Sequence, residues 1–324
     1  MKIGIASAVS GIATKKRLNG YGGIERIAAD LSSAFQNLGH ETVVAGFTGT
    51  DAGDINIQCR NEEDLYTTEF KTDVLFDFSH FKYGQHDNKY SIPMFTDKIG
   101  DNPIFPSYAV RYAVGGSGIV IHPGINIPER IDIPKTTDFC FVGRLSRIKG
   151  LDLIAYLIEH TGLKIKINGY MDKFDEEYGQ KFVDMAKSMG CIVQCNVPHK
   201  ELLHTFAESK YFICNPTWHV MFGANAVESF GLTTVEAMSQ NTTVLTGNRM
   251  SGVREIMGNT GYVMDSLTDW CEFVNNPLPT KDSSERTAYF SSERYARDLY
   301  GLVGGKAKGE NRKPPPVHND TLLI

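Results

Sequence analysis

Apolar runs of strand length alternate with amphipathic helical stretches along most of this 324-residue chain, and that alternation restricts the fold more than any other feature. The runs KIGIAS, ETVVAGF, DVLFDF, IPMFT and GIVIH come first, with a helix expected over residues 24–38. After a break come DFCFV, KIKIN, CIVQC, YFICN and TTVLTG, interleaved with helices expected near 150–158, 176–188 and 201–207. A strand that leads through a helix to the next strand builds a parallel sheet covered on both faces. The break falls near 126–135, where Pro128 and Pro134 stand among mixed charges. With 41% hydrophobic residues, each side of the break is long enough for its own core. The expected fold class is α/β, with two Rossmann-like halves.

Within the second half, the run ESFGLTTVE places Glu228 and Glu236 eight positions apart, with Phe230-Gly231 between them. Gly231 lets the backbone approach a ligand closely because it has no Cβ. A helix starting at Leu232 would aim its first unpaired N–H groups over that glycine, where a diphosphate fits. Glu228 could accept from sugar hydroxyls and Glu236 from both hydroxyls of a ribose, since a carboxylate has two acceptor oxygens and no donor. Taken alone, a glutamate on a short helix reads as a solvated surface residue. Upstream, DFCFVGRLSRIKG reads as a buried strand ended by Gly143, then a basic loop before a helix. Arg144 and Lys149 therefore sit in a strand-to-helix crossover, the ligand-binding position of open α/β sheets. The first offers phosphate a planar fork of donors and the second a mobile point charge. Arg147 reads as surface.

These motifs resemble, in order and spacing, the retaining glycosyltransferases of GT-B fold in the large family four (glycosyl transferases group 1). The resemblance spans roughly residues 1–303 and is carried by GYGGIERIAADLSSAFQNLGHETVV, VIHPGIN, FVGRLSRIKG, the two glutamates with their FG turn, TGNRMSGVREIMGNTGYVMD and FSSERYARDLY. It implies two Rossmann-like domains with parallel sheets facing a central cleft. The expected division is an acceptor domain over 1–125 and a donor domain over 126–290. A closing helix over 291–303 would pack back on domain one, ahead of a flexible basic tail over 304–324. The implied activity moves a hexose from a UDP- or GDP-sugar to a hydroxyl acceptor with retention. No cofactor is expected besides the donor, and no metal, which fits the lack of an Asp-x-Asp run after a strand.

The resemblance also implies roles. Arg144, Lys149, Glu228 and His80 would be catalytic. Gly22, Gly23, Gly169, Phe230, Gly231, Leu232 and Glu236 would bind the donor, Phe230 and Leu232 through their main chain. The loop 196–198 would read the base edge. The sequence departs from the family in a longer approach to the FG turn, carrying Trp218, His219, Met221 and Phe222, and in a short first domain.

A net charge of −5 argues against broad nucleic-acid binding. The acceptor stays open among a glycan, a lipid-linked sugar, a small molecule and a modified nucleic-acid base, the last suggested only by Lys15-Lys16-Arg17 and the basic tail. The N-terminus reads directly as a strand rather than a signal peptide, and no apolar run is long enough to span a membrane. Six cysteines, mostly in strand-like segments, suggest reduced core thiols and a cytoplasmic site. Strand alternation would put Cys191 and Cys195 on one buried face, although a zinc site with His199 and His204 is also conceivable. A nucleotide-sugar epimerase and a non-catalytic nucleotide-sugar-binding protein are the alternative functions. A dehydrogenase is disfavoured, because the first loop lacks G-x-G-x-x-G and no acidic residue closes strand two.

Overall fold

The protein is described from a computed structural model covering residues 1–7, 12–14, 22–79, 86–94, 100–173, 175–216 and 227–304. The chain divides into two compact units. The first takes the chain up to Ile127 and again from Ala288, and the second is Pro128–Thr287.

In the first unit, strands β1 (Lys2–Ala6), β2 (Glu41–Phe47), β3 (Ile55–Cys59), β4 (Val74–Asp77) and β5 (Lys89–Ser91) form one sheet in the order β3-β2-β1-β4-β5. Every pairing in it is parallel. Helix α1 (Gly23–Asn37) crosses from β1 to β2 and buries Ile27, Leu31 and Phe35. Short helices α2 (Glu62–Tyr66) and α3 (Tyr108–Ala113) and a two-stranded parallel ribbon, β6 (Ile104–Phe105) with β7 (Ile119–Val120), complete this part. The strand expected at IPMFT lies earlier, at Lys89–Ser91. Pro93 has no N–H to give a ladder, so the pairing stops before it.

The second unit repeats the plan. Strands β8 (Thr137–Leu145), β9 (Ile165–Met171), β10 (Ile192–Cys195), β11 (Ser209–Ile213), β12 (Thr243–Gly247) and β13 (Tyr262–Met264) run in the order β10-β9-β8-β11-β12-β13. They too are parallel throughout. Helices α4 (Leu151–Thr161), α5 (Glu176–Ser188), α6 (His199–Glu208), α7 (Leu232–Ser239), α8 (Gly252–Met257) and α9 (Leu267–Asn275) connect the strands, and α10 (Ser284–Tyr289) follows. The core between sheet and helices includes Phe141, Leu145, Leu153, Leu157, Ile167 and Trp270, each less than 5% exposed. Both sheets thus have the strand order of a Rossmann half, reversing direction beside their first strand.

The last helix, α11 (Ser292–Val303), belongs to the first unit and packs on α1. The segment VIHPGIN explains how it is held. Arg294 donates from Nη2 to the carbonyls of His122 (2.7 Å) and Pro123 (3.1 Å). Asn126 donates to both carboxylate oxygens of Asp30 on α1, and its own side-chain oxygen accepts from Ser292 at 2.6 Å.

All six cysteines are free. The expectation that Cys191 and Cys195 share a buried face is incorrect: Cys191 is buried just before β10, whereas Cys195 is exposed at its end. β10 is the edge strand of its sheet, and only one of its neighbours shields it. Burial pushes the Cys140 thiol up to about 12. N-ethylmaleimide at neutral pH is therefore expected to modify Cys195 in the native protein while Cys140 and Cys59 react only on unfolding. Mass spectrometry of the labelled protein checks this, and rapid native labelling of Cys140 would contradict the packing of β8. Among the described residues, no helix is long and apolar enough to cross a membrane.

Candidate functional site

The site begins with β8, the strand at which the second sheet reverses order. Its Phe139-Cys140-Phe141-Val142 run is buried on both faces between β9 and β11, as a central parallel strand requires. The chain leaves β8 at Leu145, passes through one 3-10 turn over Arg147–Lys149 and enters α4. Gly150 makes that entry possible. Its φ of +77° is left-handed, and a Cβ there would lie 2.1 Å from the Asn215 carbonyl oxygen. Only glycine allows both conditions.

The loop is also clamped from the side. Arg147 donates to Asp175 from its backbone N and from Nη1, both at 2.9 Å, and its guanidinium lies 4.4 Å from the Tyr178 ring centre. Arg147, read as mere surface, fixes the loop to α5.

Lys149 is thereby aimed across the carboxyl ends of the strands, where its Nζ forms an ion pair with the Glu228 carboxylate. Both side chains are about four-fifths buried, at 18% and 19% exposure. A small recess sits at this point, lined among others by Gly143, Lys149, Cys214, Glu228, Gly231 and Thr233. It lies between β8 and β11, the switch point of the sheet. Burial, and then the Glu228 charge, pushes the Cys214 thiol up to about 12, so it stays a neutral wall of the recess.

On the far wall, Gly231 (φ +87°, ψ +60°) is the N-cap of α7, and no side chain caps that end. A helix start without a side-chain cap presents backbone N–H groups to the space in front of it. Phe230 and Leu232 bury their side chains, at 2% and 3% exposure, so only their main chain can meet a ligand.

The remaining expected residues are placed differently. Arg144 points toward β9, where Nη1 lies 3.3 Å from Asp172 Oδ2, and it does not line the recess. Its Nε is buried and has no hydrogen-bond partner. Gly169 sits within β9, and its missing side chain makes room for Leu145, which a Cβ would approach to 2.4 Å. Its carbonyl accepts from Asn196 N at 2.8 Å, which ties down the loop 196–198. Glu236 is not a solvated surface residue: it is 1% exposed on α7, and its Oε1 lies 2.6 Å from Nε2 of His199. That helix is buried nearly all round, so position on a short helix says nothing about exposure here.

In the first unit, Gly22 and Gly23 start α1, with Glu25 folded back against Gly22. The Asp77 carboxylate accepts from Ser79 N at 2.9 Å, just ahead of His80. His80 itself lies outside the described residues, as do Lys15-Lys16-Arg17, Trp218, His219, Met221, Phe222 and the tail from residue 305.

Sequence reasoning did not foresee Cys214, Thr233 or the His199–Glu236 pair. Cys214 and Thr233 were legible only as the end of a strand and the start of a helix. In the sequence His199 offers only a metal-ligand reading.

Three findings bear on identity. Residues 126–276 match the model of the glycosyl transferases group 1 family. No curated protein matches the chain in sequence. Several solved structures match it over nearly their full length. One is AviGT4, a glycosyltransferase involved in avilamycin A biosynthesis (TM-score 0.75, 20% identity, 94% of this chain and 97% of that one). Another is the sucrose-phosphate synthase of Thermosynechococcus elongatus (TM-score 0.71, 15% identity, 94% and 98%). A third is Anabaena HepE in complex with UDP and glucose (TM-score 0.69, 12% identity, 94% and 100%). Residues 126–276, within the second unit, thus match the group 1 glycosyltransferases in sequence, and the two parallel-sheet Rossmann-like halves give the chain the GT-B fold of those solved structures.

Proposed function

We propose that the protein transfers a hexose from a UDP- or GDP-sugar to a hydroxyl acceptor, with retention and without a metal. The observation that carries this reading is the recess at the switch point of the second sheet, where a buried lysine and the side-chain-free start of α7 face the same small space. Breaking the anomeric C–O bond sends its electron pair to the β-phosphate and leaves positive charge on the sugar ring. Lys149 and the backbone N–H groups after Gly231 supply the positive potential that the departing diphosphate needs. Arg144 joins them by exchanging Asp172 for a phosphate oxygen. Glu228, released from Lys149 by the incoming phosphate, accepts from sugar hydroxyls. The acceptor oxygen bonds to the anomeric carbon on the face the phosphate leaves, and its proton passes to a phosphate oxygen.

Glu236 takes the ribose and the loop 196–198 the base edge. Gly22, Gly23 and His80 keep the roles that the family resemblance implies, and Gly169 contributes by fixing the base loop. Six free cysteines fit a reducing, cytoplasmic location. HepE was solved with UDP and glucose, which agrees with a nucleotide-sugar donor here.

The test is nucleotide release from UDP-, GDP- and ADP-sugars without acceptor and with metal chelated. Slow hydrolysis of one donor is expected, and it names the sugar for an acceptor screen. Tight nucleotide binding with no release from any donor would favour an epimerase or a non-catalytic binding protein instead.

A further inference from the structure

His199 is the first residue of α6, and no role in the reaction has been given to it. Its position is set by the loop before it. Asn196 adopts a left-handed φ of +56°, its N–H bonds the Gly169 carbonyl at 2.8 Å, and its side-chain oxygen accepts from Met171 N at 3.4 Å. Pro198 then caps α6, and its carbonyl accepts from Glu201 N at 2.9 Å. The imidazole thus leaves a loop that is fastened to the end of β9, and it reaches Glu236 at 2.6 Å.

Glu236 is 1% exposed and His199 14% exposed, so the bond is screened from water. A carboxylate has no donor of its own, so Nε2 must carry the hydrogen. Such a charge-assisted bond is about twice as strong as a neutral one. The bond takes one acceptor site of the carboxylate and fixes its plane, and so the direction in which its remaining acceptor sites face.

We propose that His199 is a positioning residue for nucleotide recognition: it holds the Glu236 carboxylate oriented toward the ribose diol. The inference rests on the reading of Glu236 as the ribose contact given above. It makes His199 a link between the loop 196–198 and the ribose carboxylate, so that contacts to base and sugar are set by one rigid segment. A histidine here acts through Glu236 and touches no reacting atom.

The experiment is calorimetric titration of the full chain with UDP, GDP and ADP, and then with the 2′,3′-dideoxy form of the tightest binder. Wild type, Glu236→Ala, His199→Leu and His199→Gln are compared, with the melting temperature of each recorded. His199→Leu is expected to weaken the ribonucleotide about 10-fold while leaving the dideoxy form nearly unchanged. His199→Gln, whose amide N–H occupies a similar place, is expected to recover most of that loss.

If Glu236→Ala binds both forms as wild type does, or none of the three nucleotides binds, the ribose reading fails and the proposal falls with it. If Glu236→Ala loses the ribose preference but His199→Leu keeps it, the reading stands and the role of His199 is overturned. Equal weakening of both forms by His199→Leu, with a lowered melting temperature, would mean a purely structural histidine and would also overturn it.

Discussion

Lys149→Ala is expected to lower turnover by ~10²–10³ while changing donor affinity much less, because its charge matters most when the diphosphate departs. That loss corresponds to about 3–4 kcal/mol, and breaking a largely buried ion pair costs stability on the same order, so kcat and melting temperature together separate the two interpretations of the Lys149–Glu228 contact. A lysine that served only the fold would leave kcat unchanged and lower the melting temperature. A lysine at the leaving group would do the reverse. Removing it also leaves the Glu228 carboxylate, 19% exposed, without its cation, which costs free energy whatever the lysine does in the reaction. The two consequences must be told apart. In a double-mutant cycle with Glu228→Gln, the part of the loss due to the stranded carboxylate appears as the coupling, and the part due to the phosphate remains as the Lys149→Ala loss in the Glu228→Gln background. The measurement is kcat and KM with the donor that the release assay selects. A kcat within twofold of wild type would remove Lys149 from the mechanism.

Gly150→Ala is expected to be the most damaging single methyl group near the site. Two independent terms act on it. Its φ of +77° costs an L-residue roughly 1–2 kcal/mol, and the new Cβ would sit 2.1 Å from the Asn215 carbonyl oxygen, a backbone atom just past the end of β11. Overpacking of that kind adds about 1–3 kcal/mol. For a unit of this size each kcal/mol lowers the melting temperature by about 2–4 °C, so a fall on the order of 10 °C is expected. Turnover should fall as well, because the displaced residue is joined directly to Lys149. Gly162 supplies the control. It ends α4 with a similar φ of +69°, yet nothing lies within 4 Å of its would-be Cβ. Gly162→Ala should therefore show the strain alone, with a fall less than half as large and normal turnover. Thermal unfolding of both variants checks the comparison. Equal losses would mean that the contact with Asn215 contributes nothing.

How far the sequence could be read depends on the range of the interaction that decides each feature. β2 coincides with ETVVAGF, and α5 occupies the residues expected of it, because hydrophobic periodicity and helix signals act within a few residues. β3 and β13 were not anticipated. Both lie at a sheet edge, where few neighbours demand an apolar pattern and the run INIQC carries little of one. The strand expected at IPMFT falls earlier, at Lys89–Ser91, because Pro93 lacks the donor that would continue the ladder. The burial of Glu236 was unreadable for another reason. Helix α7 packs on several sides, and nothing local distinguishes a buried glutamate from a solvated one.

The site divides along the same line. The glycines at 143 and 231, the basic loop after a buried strand and the two glutamates eight apart are local patterns, and the expectation of a nucleotide-sugar site rests on them. The partners of those charges were not. Lys149 meets Glu228 from 79 positions away, Arg144 turns to Asp172 across 28, and His199 reaches Glu236 across 37. Each pairing is set by the order of strands in the second sheet, which brings the ends of β8, β9 and β11 side by side. The chain by itself determined most of the elements and where along them the residues proposed for the chemistry lie, since backbone conformation and amphipathic pattern are local. Only the tertiary structure decided which charge faces which, because a buried ion pair forms where the fold leaves two groups together and out of water.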